Sequence, residues 1–461
     1  MKTNVKFAFI GAGSVSFCPA TVVDILRSEP FAALDDVEIY LMDIQDEALR
    51  LSKAFCEKIA EKLGRKVRIT ASTDLDKAVY GADFVIIAIE VDRYHYWSQD
   101  FHIPRRYGFR QVYGENGGPG GMFHTLRNIG PLLEIAKAME RGCPDAWLLN
   151  YTNPEAKLVE GLARLSKIKA VGLCHGEVMG AWQLSQMLEL SMERIAYRSV
   201  GLNHFGWYTK IWDKETGEDL YPLLSQKERE ADPLAKWDDF ALPRIMYRTY
   251  GLWPYPGTNH IGEYFAWSDG FLASAMAQYY FDPARDKPWD TKKPPEFIYS
   301  FSYGVTEREH FKQRMAADDG YATHFDADDR EIKGSGEYGI PIAEAIFFDK
   351  PVEIGAVNMP NKGYARDLMD GMVIELPALV DGKGIHPHIC DPLPTAVAQM
   401  INTQGTVHKL VIDAYAEQCR NKLLQAVLLD PTVSSYHNAV AMINEMCELQ
   451  KDVLPPLHWP G

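Results

Sequence analysis

A chain of 461 residues, 46% hydrophobic and 24% charged, is long enough for two closely joined domains around sizeable cores, and that balance excludes an intrinsically disordered polypeptide. Its formal net charge of −15 argues against nucleic acid as a partner, because phosphate binding needs clustered Lys and Arg. The longest apolar run, FVIIAI, is far too short to cross a bilayer, and MKTNVKFAFIGAG lacks a cationic segment ahead of a sustained apolar stretch, so neither a membrane partner nor a signal peptide is expected. The seven cysteines, Cys18, Cys56, Cys143, Cys174, Cys390, Cys419 and Cys447, are odd in number and scattered, without C-x-x-C. Reduced thiols and a cytoplasmic location are expected.

From residue 5 the pattern alternates. VKFAFIG reads as a strand, followed by a helix through TVVDILRSE and a strand, VEIYLMD, that ends at Asp43. DEALRLSKAFCEKIAEKLG is a helix closed by Gly64, and KVRITAS and ADFVIIAIEV are the next two strands. A polar, glycine-rich loop leads to helix TLRNIGPLLEIAKAMERG, strand AWLLNYTNP, helix EAKLVEGLARLS and strand IKAVGLCHG. Near-continuous apolar strands between amphipathic helices predict an α/β fold, a Rossmann-type doubly wound parallel sheet over residues 1–193. Residues 194–461 read as a mixed α+β domain. In it YRSVGLNHFGWYTKIWD forms antiparallel strands, FDPARDKPWDTKKPPEF and ADDGYATHFDADDREIKGSGE are surface loops, and the C-terminal stretch is mainly helical.

The first strand turns into GAGSVSF. Gly11 and Gly13 allow a tight turn and close backbone approach to a pyrophosphate at a helix N-terminus, with Ser14 beside them and Ser16 where a third glycine is usual. A lone G-x-G is weak, but between strand and helix at the start of a βαβ unit it predicts a dinucleotide site. Asp43 can accept hydrogen bonds from an adenosine ribose, which favours NAD over NADP. It lies 32 positions after Gly11 instead of the usual ~20, a stretch assigned to the insertion SEPFAALDDV. Ligands of open α/β sheets bind outside the carboxyl ends of the strands, which here carry Gly11, Asp43, Glu90, Asn150, Asn153, Cys174 and His175. A neighbouring Cys–His pair is ordinarily a buried hydrophobe beside a surface imidazole. Here the thiol stands where a nicotinamide and a substrate would meet, and a metal there could use Cys174 with His204 of GLNHFGW.

These residues resemble glycoside hydrolase family 4, the NAD- and metal-dependent glycosidases. The likeness covers nearly the whole chain, through FIGAGS, GPGGMFHTLRNI, LLNYTNPEAKL, GLCHGE, GLNHFGW, VNMPNKG and GMVIELPALVDGKGIHP. The resemblance implies Cys174 and His204 as metal ligands and Asn153 as a substrate-binding asparagine. It implies Mn²⁺ where ligand softness alone suggests Zn²⁺, and a homodimer or homotetramer. The tetrapeptide CHGE looks like the α-glucuronidase and α-galacturonidase branch, whereas the family's phosphoglucosidases carry Asp or Asn after the cysteine. The implied substrate is a small glycoside or oligosaccharide of a uronic acid, whose carboxylate needs a cation; Arg93, Arg105 and Arg106 follow the fourth strand.

The mechanism that the resemblance implies is oxidation at C3 of the sugar by NAD, removal of the acidified C2 proton by a side chain, elimination of the glycosidic oxygen, addition of water and return of the hydride. The metal holds the C2 and C3 oxygens as a Lewis acid. His175 takes the position that supplies an acid to the departing oxygen. In GTNHIGEYFAW, His260 occupies the place of a catalytic tyrosine in some relatives, with Tyr264 one helical turn away, and His260 is favoured as the C2 base. Two other readings compete. An NAD-dependent hydroxyacid dehydrogenase of the lactate and malate type needs no cysteine metal ligand, and a non-catalytic NAD-sensing module needs no convergence of Asn153, Cys174 and His204.

Overall fold

The computed structural model describes residues 2–14, 17–231, 240–271 and 334–460. Its first half is built on six parallel strands: β1 (Asn4–Ile10), β2 (Asp36–Met42), β3 (Arg68–Ser72), β4 (Phe84–Ile87), β5 (Trp147–Asn150) and β6 (Lys169–Gly172). Their order, β3-β2-β1-β4-β5-β6, is that of a doubly wound sheet. The apolar runs are continuous because both faces are covered. Phe7 and Phe9 of β1 point to one side, where they pack with Val22, Ile25 and Phe55 from the flanking helices. Ala8 and Ile10 point to the other, against Ile129, Leu132 and Met139 of the helix Gly118–Gly142.

The sheet does not stop at β6. Strand β10 (Val352–Pro360) pairs antiparallel with β6 at Asn358 and Gly172, and the order continues through β11 (Val373–Asp381), β7 (Ile195–Leu202), β8 (Phe205–Asp213) and β9 (Pro254–Tyr255), with β12 (Gly384–Pro387) on β11. Residues 197–213 form the antiparallel pair expected of them, a hairpin in which Leu202 pairs with Phe205 across a two-residue turn. The C-terminal region is helical, in Thr395–Glu417, Arg420–Leu429 and Tyr436–Leu449.

Two helices beside the site differ from the sequence reading. Arg93–Arg106 is a helix within the segment read as a polar loop, and Gly118–Gly142 starts seven residues before the predicted Thr125. Pro119 sits in the first turn of the latter, where its missing N–H costs nothing. Gly120 and Gly121 let that turn press on neighbouring backbone, since a Cβ at either would lie 2.4 Å from the carbonyl oxygen of Asp100 or Asn116. Ser16, the Pro-rich loop and most of the acidic loop lie outside the described residues. Among the described residues, no helix is long and apolar enough to cross a membrane.

Candidate active site

The turn after β1 is closed by backbone and by Asp43. Gly11 and Ala12 N–H both donate to Met42 O at 2.9 Å, and Gly13 N–H donates to Asp43 Oδ2 at 2.7 Å. Gly11 has φ 89° and no room for a side chain, because a Cβ would lie 2.2 Å from Ala88 O. Ser14 Oγ accepts the N–H of Phe17, where the following helix begins, at 3.2 Å. Asp43 therefore fixes the glycine turn, and it also holds Gln45 N–H at 2.9 Å. Asn150 is fully buried and its amide is engaged by its own turn, donating to Thr152 O at 3.0 Å and accepting Thr152 N–H at 3.2 Å. Glu90 meets His124 Nε2 at 2.9 Å, Asn128 Nδ2 at 3.1 Å and Arg93 at 3.3 Å. Burial would raise this carboxyl, but His124 and Arg93 outweigh it and hold it at about 2.

Cys174 follows β6, and the β7–β8 turn brings His204 to it, with Sγ 3.6 Å from Nε2. His204 adopts φ 62°, uncommon for a residue with a side chain, and thereby points its ring back over the sheet edge. Its Nδ1 lies 2.8 Å from Asn116 Nδ2 and 4.0 Å from Glu115 Oε2, and its ring meets that of His260 edge-on at 4.3 Å. Glu115, His204 and His260 each offer a ligand atom within 4.8 Å of the others. Arg93 pairs with Glu115. Glu263, fully buried, holds this loop by accepting the N–H groups of Glu115 at 2.5 Å, Asn116 at 2.9 Å and Gly117 at 3.0 Å.

Electrostatics fit a cation here. Burial and the neighbouring His260 push the His204 imidazole well below its ordinary value, leaving the neutral form that ligates metals. Burial would raise Glu115, yet the Arg93 guanidinium prevails and holds it at about 2. Burial, with Glu337, Glu375 and Glu155 nearby, pushes the Cys174 thiol well up, so its ionisation requires an added positive charge. His175, unlike His204, is shifted upward. Its hydrogen bond to Glu337 prevails over burial and favours the imidazolium.

Two family models cover the chain: "Family 4 glycosyl hydrolase" matches residues 6–190 and "Family 4 glycosyl hydrolase C-terminal domain" matches residues 199–433. The chain belongs to glycosyl hydrolase family 4. It is 30% identical to an alpha-glucosidase of Erwinia rhapontici, covering 96% of each chain, and 31% identical to an alpha-galactosidase of Bacillus subtilis, covering 98% of this chain and 99% of the other. An alpha-galacturonidase of Thermoanaerobacter italicus is 27% identical over 98% of this chain and 97% of its own. The fold matches that of a 6-phospho-alpha-glucosidase from gut microorganisms in complex with NAD and Mn²⁺, with TM-score 0.79 and 22% identity over 99% of this chain and 100% of the other.

As a family 4 glycoside hydrolase the chain is not a hydroxyacid dehydrogenase or a sensing module. Its structure gathers Cys174, His175, His204, His260 and Arg93 at the carboxyl edge of the sheet, with Glu90 joined to them through Arg93. Asn153 follows β5, with its Oδ1 3.4 Å from Glu155 N–H and its backbone oxygen accepting Asn128 Nδ2 at 3.2 Å. Arg105 and Arg106 are not brought there. They lie at the other end of the helix Arg93–Arg106, about 18 Å from Arg93 at 1.5 Å per residue, where Arg105 donates to Gln111 O at 2.7 Å and Arg106 pairs with Glu445. Tyr264 is buried, stacks on Phe205 at 4.8 Å and donates to Asn203 O at 3.2 Å, so its hydroxyl supports the turn that carries His204. Sequence reasoning missed Glu115, Asn116 and Glu263. The glycine-dense GENGGPGG was the available signal, since such a run marks backbone packed too closely for side chains.

Proposed function

We propose that the chain is an NAD- and divalent-metal-dependent glycosidase acting on glycosides of a uronic acid, with residues 1–193 holding the dinucleotide and 194–461 completing the substrate site. The observation that carries the cofactor reading is the approach of Cys174 Sγ to His204 Nε2. Metal bonds of about 2.0–2.3 Å place adjacent ligand atoms roughly 3–4 Å apart, and these atoms are 3.6 Å apart. The Gly11–Gly13 turn, with no space for a Cβ at Gly11, fits a pyrophosphate approaching the backbone. The NAD and Mn²⁺ of the 6-phospho-alpha-glucosidase structure support the choice of groups. The free state of all seven cysteines supports a reducing, cytoplasmic setting.

When bound, NAD supplies a hydride acceptor at C3 of the sugar and the metal a Lewis acid for the sugar oxygens. Cys174 and His204 hold the metal, and Glu115, kept ionised by Arg93, adds negative charge beside it. His260 takes the C2 proton and His175 gives one to the departing oxygen. Asn153 contacts the substrate. Arg93 is engaged by Glu115 and Glu90, so we assign it to holding these carboxylates instead of the substrate.

The uronide reading rests on CHGE and on the alpha-galacturonidase relative. A neutral hexoside is the second reading, favoured by the relatives at 30% and 31% identity. Nitrophenyl α-glucuronide, α-galacturonide, α-glucoside and α-galactoside, assayed with NAD⁺, Mn²⁺ and reductant, separate the two. A uronide preferred by about tenfold or more in kcat/KM supports the proposal, and the reverse preference overturns it.

A further inference from the structure

The segment 334–338 meets the rest of the structure beside His175, and it is clamped there. Gly334 lies so close to Asp24 that a Cβ would stand 1.9 Å from Oδ1. Ser335 donates to Asp24 Oδ2 through its hydroxyl and through its N–H at 3.0 Å, and Ser335 Oγ accepts the N–H of Glu337 at 3.0 Å. This chain of bonds drives the Glu337 side chain inward, where it is 3% exposed. One carboxylate oxygen pairs with His175 Nδ1, and the other is buried without a hydrogen-bond partner. The imidazole itself is 47% exposed.

A half-exposed ring with no second support would turn freely about χ1 and χ2. Here one nitrogen is fixed by a buried carboxylate, which leaves Nε2 as the nitrogen that meets substrate. We propose that Glu337 is a positioning residue for the acid step: it holds His175 so that Nε2–H faces the glycosidic oxygen. The inference rests on the reading of His175 as the acid. In that step the C2 proton passes to His260 and the electron pair of the C2–H bond becomes the C1–C2 double bond. The C1–O bond breaks with its pair on oxygen, and the Nε2 proton moves to that oxygen. His175 Nδ1–H keeps donating to Glu337 throughout. The Asp24–Ser335 clamp ties this acid to the helix that follows the glycine turn, two functions otherwise far apart in sequence.

Leaving-group dependence tests the idea, because a nitrophenolate departs with little help from an acid whereas an alkoxide does not. Methyl and nitrophenyl glycosides of whichever sugar the enzyme accepts are compared in wild type, Glu337→Ala, Glu337→Gln and His175→Ala. Glu337→Ala is expected to lose about 100-fold or more in kcat on the methyl glycoside, and the ratio of methyl to nitrophenyl activity should fall at least tenfold, at little change in KM. Glu337→Gln, whose amide oxygen still accepts Nδ1–H, should recover more than tenfold of that loss. Equal losses on both substrates in Glu337→Ala, or recovery absent in Glu337→Gln, overturn the positioning role. His175→Ala distinguishes the underlying reading: if its losses are also independent of leaving group, His175 is not the acid, whereas leaving-group dependence in His175→Ala but not in Glu337→Ala sinks only the role of Glu337.

Discussion

Replacing Arg127 by Met removes one half of an ion pair whose side chains are both fully buried. Arg127 Nη2 donates to Asp100 Oδ2 at 2.8 Å and Nη1 to Gln450 Oε1 at 3.0 Å, while Gln450 Nε2 donates to Asp100 Oδ1 at 2.9 Å. The pair joins the helix Arg93–Arg106 to the helix Gly118–Gly142 and to the C-terminal region. Without Arg127, fully buried Asp100 keeps the amide of Gln450 as a side-chain partner, a loss of about 3–5 kcal/mol for a broken buried pair. The double variant Asp100→Leu/Arg127→Met removes the stranded charge and leaves only Gln450 underused, at about 1–3 kcal/mol. The double variant should thus be more stable than Arg127→Met alone by about 2 kcal/mol. Urea unfolding followed by tryptophan fluorescence reads both through the midpoint at constant slope. Asp100 O also accepts Gln111 Nε2 at 2.5 Å, at the base of the loop carrying Glu115, so Arg127→Met should weaken Mn²⁺ binding as well. A loss below about 1 kcal/mol in the single variant, or a double variant no more stable than the single, would mean that no charge is stranded at Asp100.

Cys174→Ser should weaken Mn²⁺ binding by about 10-fold or more in calorimetry, while NAD affinity changes little, because the glycine turn is separate from the thiol. Gly11→Ala should do the opposite: a Cβ 2.2 Å from Ala88 O, at φ 89°, distorts the turn, lowers NAD affinity and leaves a melting transition shifted downward. Glu177 is fully buried, and burial pushes its carboxyl up to about 7 against the hydroxyls of Tyr338 and Tyr197. Because this value lies above that of the unfolded chain, the group favours the fold at low pH and turns against it as pH rises from about 4.5 to 7. Glu177→Gln should therefore gain on wild type by about 3 kcal/mol between pH 4.5 and pH 8 in urea titrations, and an unchanged difference would count against the shift.

The doubly wound half was legible because β1, β2, β4 and β5 are apolar runs covered on both faces, a signal contained within each segment. The helix Arg93–Arg106 was not, since RYHYWSQDFHIPRR carries polar and aromatic residues on every face and Pro104 near its end. The extension of the sheet through β10 and β11 depends on pairing Asn358 with Gly172, a contact between distant segments that no local period records. At the site, the strand-end place of Cys174 and the resemblance carried by GLCHGE and GLNHFGW pointed to Cys174 and His204, which the structure brings to 3.6 Å of each other. Glu115 and Glu337 could not be read in this way, because each acts through a partner far away in the chain: Glu115 through His204 and Arg93, and Glu337 through His175.

If cleavage runs through removal of the C2 proton, with His260 as the base, sugar released in D₂O carries deuterium at C2. The label is expected with wild type and with Tyr264→Phe, whose hydroxyl serves Asn203, and is expected to be strongly suppressed in His260→Ala at nearly unchanged substrate binding. Enzyme stripped of NAD is expected to release no sugar. Product without C2 deuterium, together with full turnover by the stripped enzyme, would leave direct acid–base displacement at C1 as the chemistry of this site.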